Sequence, residues 1–527
     1  MVKTESNDKP NSRRRFLTST GKAVAAGVAV AGLGGVLEHA AAAEVGQPCW
    51  NEGMPAKWDE SYDVVIVGSG FSGLAAAYEA RKAGATVAIL EKMRTPGGNS
   101  LIMGGIFGAA GSPLQAAKGL KDSPDILAGD MIREGLGLNH PELVKIVADN
   151  SWPCVKWTID EFGAKYTDTL VQEGGHSVPR CYQSEKGGSS VINPMLDKLK
   201  SMNQPIKTQT YVQKILRDKD GRVKGLEVRE GYAFSRPGSG KVKYIQAKRA
   251  VVLAHGGFSA DVNFRLLQDP KLTGTMDHTN QPGATAEMLR ESLRVGAEPI
   301  QLSWIQVGPW GSADEKGFGL GPHFAQEAAA MYGIWINAST GKRFISELAN
   351  RKLRADAIMN FMNKGESCIA IADSVNLYGN VKNEIPKMLE IGVLKQFNNW
   401  DEVAAAYKVP PDALKKTVAD YNKYVAQGKD DEFNRYMNKD AKPLGTAPIY
   451  VQRLMPKVHY TMGGININVK AQVTDIGNDQ PIPGLYAAGE STGGVHGAVR
   501  LGSMSSITCM VFGRIAGQNA AAEKPWA

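Results

Sequence analysis

The sequence predicts an α/β fold in which a parallel-sheet domain is interrupted by an inserted α+β capping domain. Within residues 62–98, two apolar β-branched runs flank a glycine-rich turn and an alanine-rich run. Glycine-rich segments recur after residue 459. The section between the two glycine-rich regions has amphipathic helical patterns and scattered tryptophans. A chain of 527 residues is long enough to form two domains with separate cores.

The first of these stretches has the layout of a βαβ unit. Residues 64–67 and 86–90 have the length and composition of buried strands, and residues 74–82 have those of a helix. The turn at residues 68–73 carries the pattern GxGxxG, in which glycines permit a tight turn, close approach of a pyrophosphate and close packing of helix on strand. The pyrophosphate would lie at the helix N-terminus, and Glu91 would accept hydrogen bonds from the ribose hydroxyls. The unit therefore predicts a Rossmann-like dinucleotide-binding domain.

The residues that follow favour FAD over NAD as the dinucleotide. Residues 94–98 add a second glycine turn rather than a third regular βα unit. Glycine clusters at 103–109 and 251–258 let the backbone approach a flat ring system closely. A helix that begins near Ser503 would point its positive end at the flavin N1/O2 region and stabilise an anionic reduced flavin. The predicted FAD-binding residues are Gly68, Gly70, Ser72, Gly73, Glu91, Lys92, Gly98, Asn99, Ser100, Gly104, Gly105, Gly256, Gly257, Gly489, Glu490, Ser505 and Ser506.

The rest of the chain completes this domain and interrupts it. A helical region follows around residues 142–162, and residues 205–254 have the short alternating strands of a β-meander. Amphipathic helical runs cover residues 348–362 and 403–425, the second broken by two prolines, and a last helix covers residues 503–521. The predicted domains are a FAD-binding domain in two pieces and a capping domain between them: 58–302, 459–527 and 303–458.

The N-terminus has the features of an export signal. Residues 12–17 read SRRRFL, a twin-arginine pattern, and a modestly apolar run and four alanines follow up to Ala43. The apolar run is too short and too rich in glycine and alanine to span a membrane. We expect residues 1–43 to be removed near Ala43 and the mature protein to be periplasmic, not membrane-spanning, and exported folded with its cofactor.

Composition narrows the possible partners. The formal net charge of +8 suits an acidic redox partner or a membrane surface, and it suits a general solubility charge equally well. No basic block with interleaved aromatic residues indicates nucleic acid binding. We expect no metal site, because no cysteine pair has the CxxC spacing of zinc-ribbon, dithiol or haem-attachment motifs. The five cysteines, which we expect to be idle or buried thiols, are Cys49, Cys154, Cys181, Cys368 and Cys509.

Three separated segments carry a resemblance to a known family. They are residues 341–344 with Glu347 and Arg351, then residues 459–464, and then residues 484–502, which read GLYAAGESTGGVHGAVRLG. Together, and in this order, they resemble the flavoprotein part of the flavocytochrome c fumarate reductases, a family that includes urocanate and methacrylate reductases. The resemblance covers essentially the whole mature chain.

The resemblance implies reduction of a C=C bond. An activated double bond would take a hydride from flavin N5 at its β-carbon and a proton at its α-carbon, while cations hold the conjugated carboxylate. His459 and Arg500 correspond to the carboxylate clamp, and the Arg500 guanidinium suits bidentate binding. Arg351 corresponds to the proton donor, which needs a relay because the pKa of arginine lies far above neutrality. Glu327 has the spacing of the family's relay glutamate.

Three positions depart from the family pattern. Asn99 occupies the place of the histidine that binds flavin covalently in succinate dehydrogenase relatives, so we expect non-covalent FAD. Ala330 replaces the relay arginine, so the proton route must differ, through His323, Arg354 or water. Gly308 replaces the histidine that holds the second carboxylate of fumarate.

The surroundings of Gly308 predict the substrate class. A glycine flanked by Val307 and Trp310 makes a poor anion site and a fair apolar pocket. We therefore expect a 2-enoate with one carboxylate and an apolar or aromatic β-side, such as methacrylate, acrylate or an aryl-acrylate. Fumarate and urocanate remain alternatives, as do a succinate- or steroid-type flavin dehydrogenase and a non-catalytic electron-relay flavoprotein. Because the sequence has no haem-attachment motif, electrons for this anaerobic respiration would come from a separate periplasmic multihaem c-type cytochrome.

Overall fold

The computed structural model describes residues 53–526, apart from the side chain of Asn380. The predicted export signal and Cys49 lie outside the described residues. In chain order the strands are β1 (Glu60–Val67), β2 (Val87–Leu90), β3 (Ile106–Gly108), β4 (Tyr166–Val171), β5 (Cys181–Gly188), β6 (Ile206–Lys207), β7 (Thr210–Arg217), β8 (Val223–Glu230), β9 (Lys241–Leu253), β10 (Pro299–Ile300), β11 (Ile305–Gly308), β12 (Ile334–Asn337), β13 (Lys342–Arg343), β14 (Cys368–Asp373), β15 (Lys395–Phe397), β16 (Ile449–Leu454), β17 (Lys457–Thr461), β18 (Gly464–Ile465), β19 (Gln472–Thr474) and β20 (Pro481–Ala487). The helices are α1 (Phe71–Lys82), α2 (Gly98–Ile102), α3 (Pro113–Ala117), α4 (Pro124–Glu134), α5 (Pro141–Asp149), α6 (Ser151–Phe162), α7 (Ser189–Ser201), α8 (Val262–Gln268), α9 (Glu287–Arg294), α10 (Gly321–His323), α11 (Ala330–Tyr332), α12 (Arg351–Met362), α13 (Gly379–Glu390), α14 (Trp400–Tyr407), α15 (Pro411–Gln427) and α16 (Met504–Ala522), with a π-helical turn at Phe324–Ala329 and 3₁₀ turns at Ser374–Asn376 and Gly489–Ser491.

An eight-stranded sheet forms the core of the nucleotide-binding part. Six strands lie in the order β19-β20-β9-β1-β2-β6, and β8 and β7 extend β9 as the predicted antiparallel meander. The parallel strands are in register at their ends: Val67 faces Leu90 and Leu253, and Leu253 faces Ala487. The carboxyl ends of β1, β2, β9 and β20 therefore meet at one edge, where α/β sheets bind ligands. The predicted α/β class is confirmed.

Glycines allow two helices to pack closely beside this sheet. A Cβ atom at Gly73 in α1 would lie 2.0 Å from the carbonyl oxygen of Gly68, so no side chain fits there. On α16, a Cβ at Gly513 or Gly517 would lie 2.5 or 2.3 Å from a carbonyl oxygen of α1. The last helix, expected over residues 503–521, runs from Met504 to Ala522, and the prediction is confirmed.

The middle of the chain forms a second sheet, antiparallel throughout, in the order β13-β12-β14-β16-β15. The apolar cores on its two faces contain Ile358 of α12 and Met388 of α13 on one side, and Val403 of α14 and Leu414 of α15 on the other. Both predicted helical runs exist. The first begins only at Arg351, where the Asn350 side chain caps the helix, and the second divides at the two prolines into α14 and α15.

A short antiparallel pair, β11 with β17, joins the beginning and the end of this middle section. Gln306 faces Tyr460, but Val307 faces Val458, so His459 is the extra residue of a β-bulge. Contacts join the described chain into one unit, and the predicted boundaries at 302/303 and 458/459 stay predictions. Within residues 53–526, no helix combines the length and the apolar character that crossing a membrane requires.

Candidate active site

A cleft opens at the carboxyl edge of the main sheet. It encloses about 1340 Å³ of empty volume, including open solvent at its mouth, and the turns after β1, β2, β9 and β20 contribute to its lining. Gly68 adopts a φ of +106°, and a Cβ there would lie 2.2 Å from the carbonyl oxygen of Ala254, so this turn requires glycine. Gly70 precedes α1 and gives the helix no side-chain cap. The Phe71 N–H donates to the Ser100 hydroxyl at 3.0 Å, so the later N–H groups of the first turn are the ones that can face a pyrophosphate.

The predicted FAD-binding residues fall into three groups. Those that line the cleft are Gly68, Gly70, Ser72, Glu91, Lys92, Gly98, Asn99, Ser100, Gly256 and Glu490. Four glycines lie in close packing instead, because a Cβ would lie between 2.0 and 2.3 Å from a neighbouring oxygen: Gly73, Gly105, Gly257 and Gly489. Gly104 lies in the turn before β3, and Ser505 and Ser506 lie in the first turn of α16.

Two carboxylates of the cleft are fixed by hydrogen bonds. Glu91 accepts from the Ser69 hydroxyl at 2.6 Å and from the Met93 N–H at 2.9 Å. Burial raises the pKa of Glu490 to about 7, while a hydrogen bond from the Thr461 N–H at 3.0 Å opposes this shift. The tight glycine turn, the uncapped helix and the carboxylate after β2 fit the ribose and pyrophosphate of FAD.

His459 lies next to this cleft, and hydrogen bonds through Asn280 connect it to the cleft lining. As the extra residue of a β-bulge, His459 points its side chain in a different direction from that of a regular strand residue. Bulges are frequent beside active sites. The Nδ1 atom of His459 shares a hydrogen bond with the Thr279 hydroxyl at 2.7 Å, and the His459 carbonyl accepts from the Asn280 amide at 3.0 Å. Asn280 also accepts from the Asn99 side chain at 2.5 Å, and Asn99 lines the cleft.

Trp310 brings Arg351 and His459 to one place. The Arg351 guanidinium carbon lies 5.3 Å from the indole centroid, and the His459 ring packs edge-on at 5.2 Å. Gly308 lies under the same indole, since a Cβ at this position would lie 2.1 Å from the Trp310 Cζ3 atom. The indole therefore occupies the space that a side chain at position 308 would fill. This wall of the site is aromatic and carries no cation from position 308.

Arg500 is buried beside these residues with one edge of its guanidinium unpaired. Its Nη1 atom donates to the Leu501 carbonyl at 3.0 Å, and its guanidinium carbon lies 5.1 Å from the Tyr460 ring centroid. The Nε atom is buried and has no hydrogen-bond partner among the described residues. Because a buried donor without a partner is costly, this arrangement fits a bound anion.

The charges of Arg351 and Arg500 affect the pKa values of titratable groups in this site. Burial, followed by the charges of Arg500 and Arg351, holds the pKa of His459 well below its usual 6.5, so the imidazole is neutral at neutral pH. Burial, followed by the charge of Arg351, lowers the pKa of Arg500 to about 10. The site therefore holds two guanidinium cations and a neutral imidazole, a combination that attracts a carboxylate.

Arg351 pairs with a carboxylate that sequence reasoning missed. Its Nη2 atom lies 2.7 Å from an oxygen of Glu173, which follows β4. The predicted relay residue, Glu327, lies on the π-helical turn, and no hydrogen bond or ion pair among the described residues joins it to Arg351. Desolvation raises the pKa of Glu327, and the charges of Glu384 and Glu173 add to this shift against that of His323.

The proposed substitutes for the relay arginine lie in different surroundings. His323 forms a hydrogen bond at 2.6 Å with Glu384. Arg354 is buried against the Trp335 ring and donates to the Gln326 side chain at 2.9 Å. Burial, together with the charge of Arg351, lowers the pKa of Arg354 to about 9.

Residues 53–526 hold no cluster of three or more His, Cys, Asp or Glu side chains arranged for a metal ion. The four cysteines in this range are free thiols, and three of them are buried: Cys154, Cys181 and Cys368.

Comparisons with known proteins identify the family to which this chain belongs. The family model described as "FAD binding domain" matches residues 63–506. The acrylate reductase flavoprotein subunit of Shewanella woodyi is 42% identical over 465 residues, which are 87% of this chain and 91% of that protein. The fumarate reductase (cytochrome) of Shewanella frigidimarina is 34% identical over 465 residues, which are 88% of this chain and 77% of that protein.

A solved structure shares the fold. The open conformation of a flavocytochrome c3 fumarate reductase matches with a TM-score of 0.72 and 31% identity, over 90% of this chain and 82% of that one. The chain therefore belongs to the FAD binding domain family and, within it, to the FAD-dependent flavoproteins of the flavocytochrome c fumarate reductase family.

Proposed function

We propose that this protein reduces the C=C bond of a 2-enoate that has a single carboxylate, such as acrylate, methacrylate or an aryl-acrylate. Bound FAD supplies the hydride for this reduction. The observation that carries the proposal is the arrangement around Trp310. Arg351, His459 and Arg500 gather at one side of the site, while position 308, which the indole covers, contributes no cation for a second carboxylate.

In this proposal Arg500 and His459 hold the substrate carboxylate. Arg500 donates from its unpaired Nε edge, which lies buried and ready for an anion. His459 is neutral, so it donates from Nε2 only if Nδ1 accepts the hydrogen bond of the Thr279 hydroxyl. Thr279 thereby sets the tautomer. As negative charge grows on the conjugated carboxylate, these fixed donors stabilise the transition state more than the ground state.

Arg351 supplies the proton for the α-carbon. A guanidinium is a very weak acid, so it serves only toward a strongly basic carbon and only if its own proton is replaced. The Trp310 face and the Glu173 carboxylate hold the guanidinium in one orientation. Glu327, His323 and Arg354 are the groups that we expect to help replace the proton of Arg351.

The same site can be tested for substrate class. Reduced viologen would be oxidised by the purified holoprotein with acrylate, methacrylate, cinnamate, urocanate, fumarate and monomethyl fumarate in turn. We expect kcat/KM for fumarate to lie about 10²–10⁴-fold below that for the best monocarboxylate, because a buried charge without a partner costs about 3–5 kcal/mol.

Monomethyl fumarate is the matched control for that panel. It keeps the carbon skeleton and the activated double bond of fumarate and neutralises one carboxylate. We expect it to be reduced faster than fumarate. Turnover of fumarate above every monocarboxylate would refute the substrate class. Faster oxidation of saturated acids with an acceptor dye than reduction of enoates would favour a dehydrogenase instead.

We further propose that FAD is bound non-covalently. Asn99 stands at the attachment position, and its amide is engaged with Asn280 and with the Gln281 N–H at 2.7 Å. An amide is no nucleophile toward the flavin ring. We expect acid precipitation to release all of the flavin into the supernatant, measured by its absorbance. A precipitate that keeps flavin fluorescence after washing would contradict this.

We propose that the enzyme works in the periplasm in anaerobic respiration, exported by the twin-arginine route and cleaved near Ala43. The SRRRFL pattern of residues 12–17 supports this location. A separate multihaem c-type cytochrome would deliver electrons, since the sequence has no CxxCH motif for haem attachment.

A further inference from the structure

Glu173 is the hydrogen-bonded carboxylate of Arg351, and no motif of the sequence points to it. The two side chains approach to 2.7 Å and stay partly accessible, 18% for Arg351 and 21% for Glu173. Gly502 makes room for the pair: a Cβ there would lie 2.9 Å from the Glu173 Cβ and 3.5 Å from the Arg351 Nη2 atom. The pair therefore depends on a glycine of the stretch 484–502, which also contains Arg500.

The rest of the site explains why Arg351 needs this partner. Ala330 stands where the family has its relay arginine, and it is fully buried in the core of the capping sheet. Glu327 makes no hydrogen bond to Arg351 among the described residues. Glu173 is thus the carboxylate through which a proton from solvent can return to Arg351 directly.

A route to solvent continues from Glu173. Its charge acts on Glu327, which also feels the charges of His323 and Glu384. Glu327 is exposed to solvent. Desolvation by its partly buried surroundings raises its pKa and so favours its protonated form. His323 and Glu384 form a hydrogen bond at 2.6 Å, and their side chains are 32% and 29% accessible. Glu173, itself 21% accessible, together with Glu327 and the His323–Glu384 pair, thus provides titratable side chains through which a proton can reach Arg351 from water.

We propose that Glu173 is a positioning and proton-return residue for Arg351. This inference rests on the proposed enoate reduction. In each turnover one proton passes from Arg351 to the α-carbon, which leaves a neutral guanidine beside the Glu173 carboxylate. One proton from solvent then reaches Glu173, directly or through Glu327 and the His323–Glu384 pair, and passes on to Arg351. No electrons move in these steps, and the charge of the pair is restored.

The test compares E173Q, E173D and E173A with the wild-type holoprotein, with acrylate as substrate and reduced viologen as donor. We expect kcat of E173Q to fall about 10²-fold, at the lower end of the range for proton-transfer residues. KM should change little, because Arg500 and His459 carry the carboxylate. Flavin content should stay at the wild-type level, and the solvent deuterium isotope effect on kcat should rise. E173D should keep part of kcat, and added formate should restore part of kcat in E173A.

The matched control is E134Q. Glu134 accepts a hydrogen bond from Asn350, the neighbour of Arg351, and feels the charge of Arg351 without contacting its guanidinium. It should keep the wild-type kcat. Wild-type kcat and isotope effect in E173Q would overturn the inference, and so would a kcat loss without formate rescue or a change in isotope effect. A wild-type protein that reduces no enoate would overturn the proposed function itself, whereas an active wild type with an unaffected E173Q overturns this inference alone.

Discussion

Replacing Arg351 with glutamine is expected to lower kcat for enoate reduction by about 10²–10⁴-fold while FAD stays bound. Glutamine fills similar space but has no charge and no proton to give. Arg351 begins α12 and does not line the FAD cleft, so cofactor binding should be unchanged. R351K should also lose activity, because an ammonium group cannot bind Glu173 and stack on Trp310 as a planar guanidinium does.

Stopped-flow measurements separate the two halves of this reaction. Reduction of the bound flavin by viologen should proceed at the wild-type rate in R351Q, whereas its reoxidation by acrylate should slow by the full factor. K352Q is the neighbouring control, because Lys352 pairs at the surface with Asp356 and should be dispensable. Reoxidation by acrylate at the wild-type rate in R351Q would remove Arg351 from the chemistry and favour the electron-relay interpretation.

The nucleotide-binding part could be predicted because its signals are local. The strand at residues 64–67, the glycine turn and Glu91 follow one another within one βαβ unit, and each has a physical reason to be where it is. The register of the parallel strands then places the turns after β9 and β20 at the same edge. Gly73 acts in helix packing, which is the third of the glycine roles that the motif requires.

The parts of the fold and of the site that the sequence does not predict depend on contacts between residues far apart in the chain. Strands β12 and β14 are short apolar runs buried on both faces, and periodicity cannot separate such runs from helix segments. Glu173 lies 178 residues before Arg351, and Thr279 lies 180 residues before His459. The bulge that aims His459 exists only through its pairing with β11. No pattern along the chain indicates Glu173 or Thr279, although Arg351 and His459, which they contact, lie in recognisable motifs.

Replacing Glu347 with glutamine is expected to lower the free energy of unfolding by about 3–5 kcal/mol, the cost of breaking a buried ion pair from one side. Glu347 is fully buried and accepts from Arg343 at 2.7 and 2.8 Å and from Arg435 at 3.0 Å. Glutamine would leave two buried guanidinium groups short of a charge. Urea unfolding of the holoprotein, followed by tryptophan fluorescence, measures the loss.

The E432Q variant tests whether burial is the reason for the large stability loss expected in E347Q. Glu432 approaches the same Arg343 at 3.3 Å, but its side chain is 40% accessible, so its loss should cost only about 0–1 kcal/mol. Equal costs for E347Q and E432Q would show that burial does not set the strength of this network.

The pH dependence of E347Q gives an independent check on the same charge. Burial pushes the pKa of Glu347 upward, but Arg435 and Arg343 outweigh it and leave the pKa below 4.5. A depressed pKa stabilises the folded state above the unfolded-state value, and this stability is lost as pH falls through the folded-state value. The stability difference between wild type and E347Q should therefore be constant near neutrality and shrink below pH 4.5. Because the Glu347 carbonyl also accepts from Arg354 in α12 at 2.7 Å, this network fixes the helix that begins with Arg351.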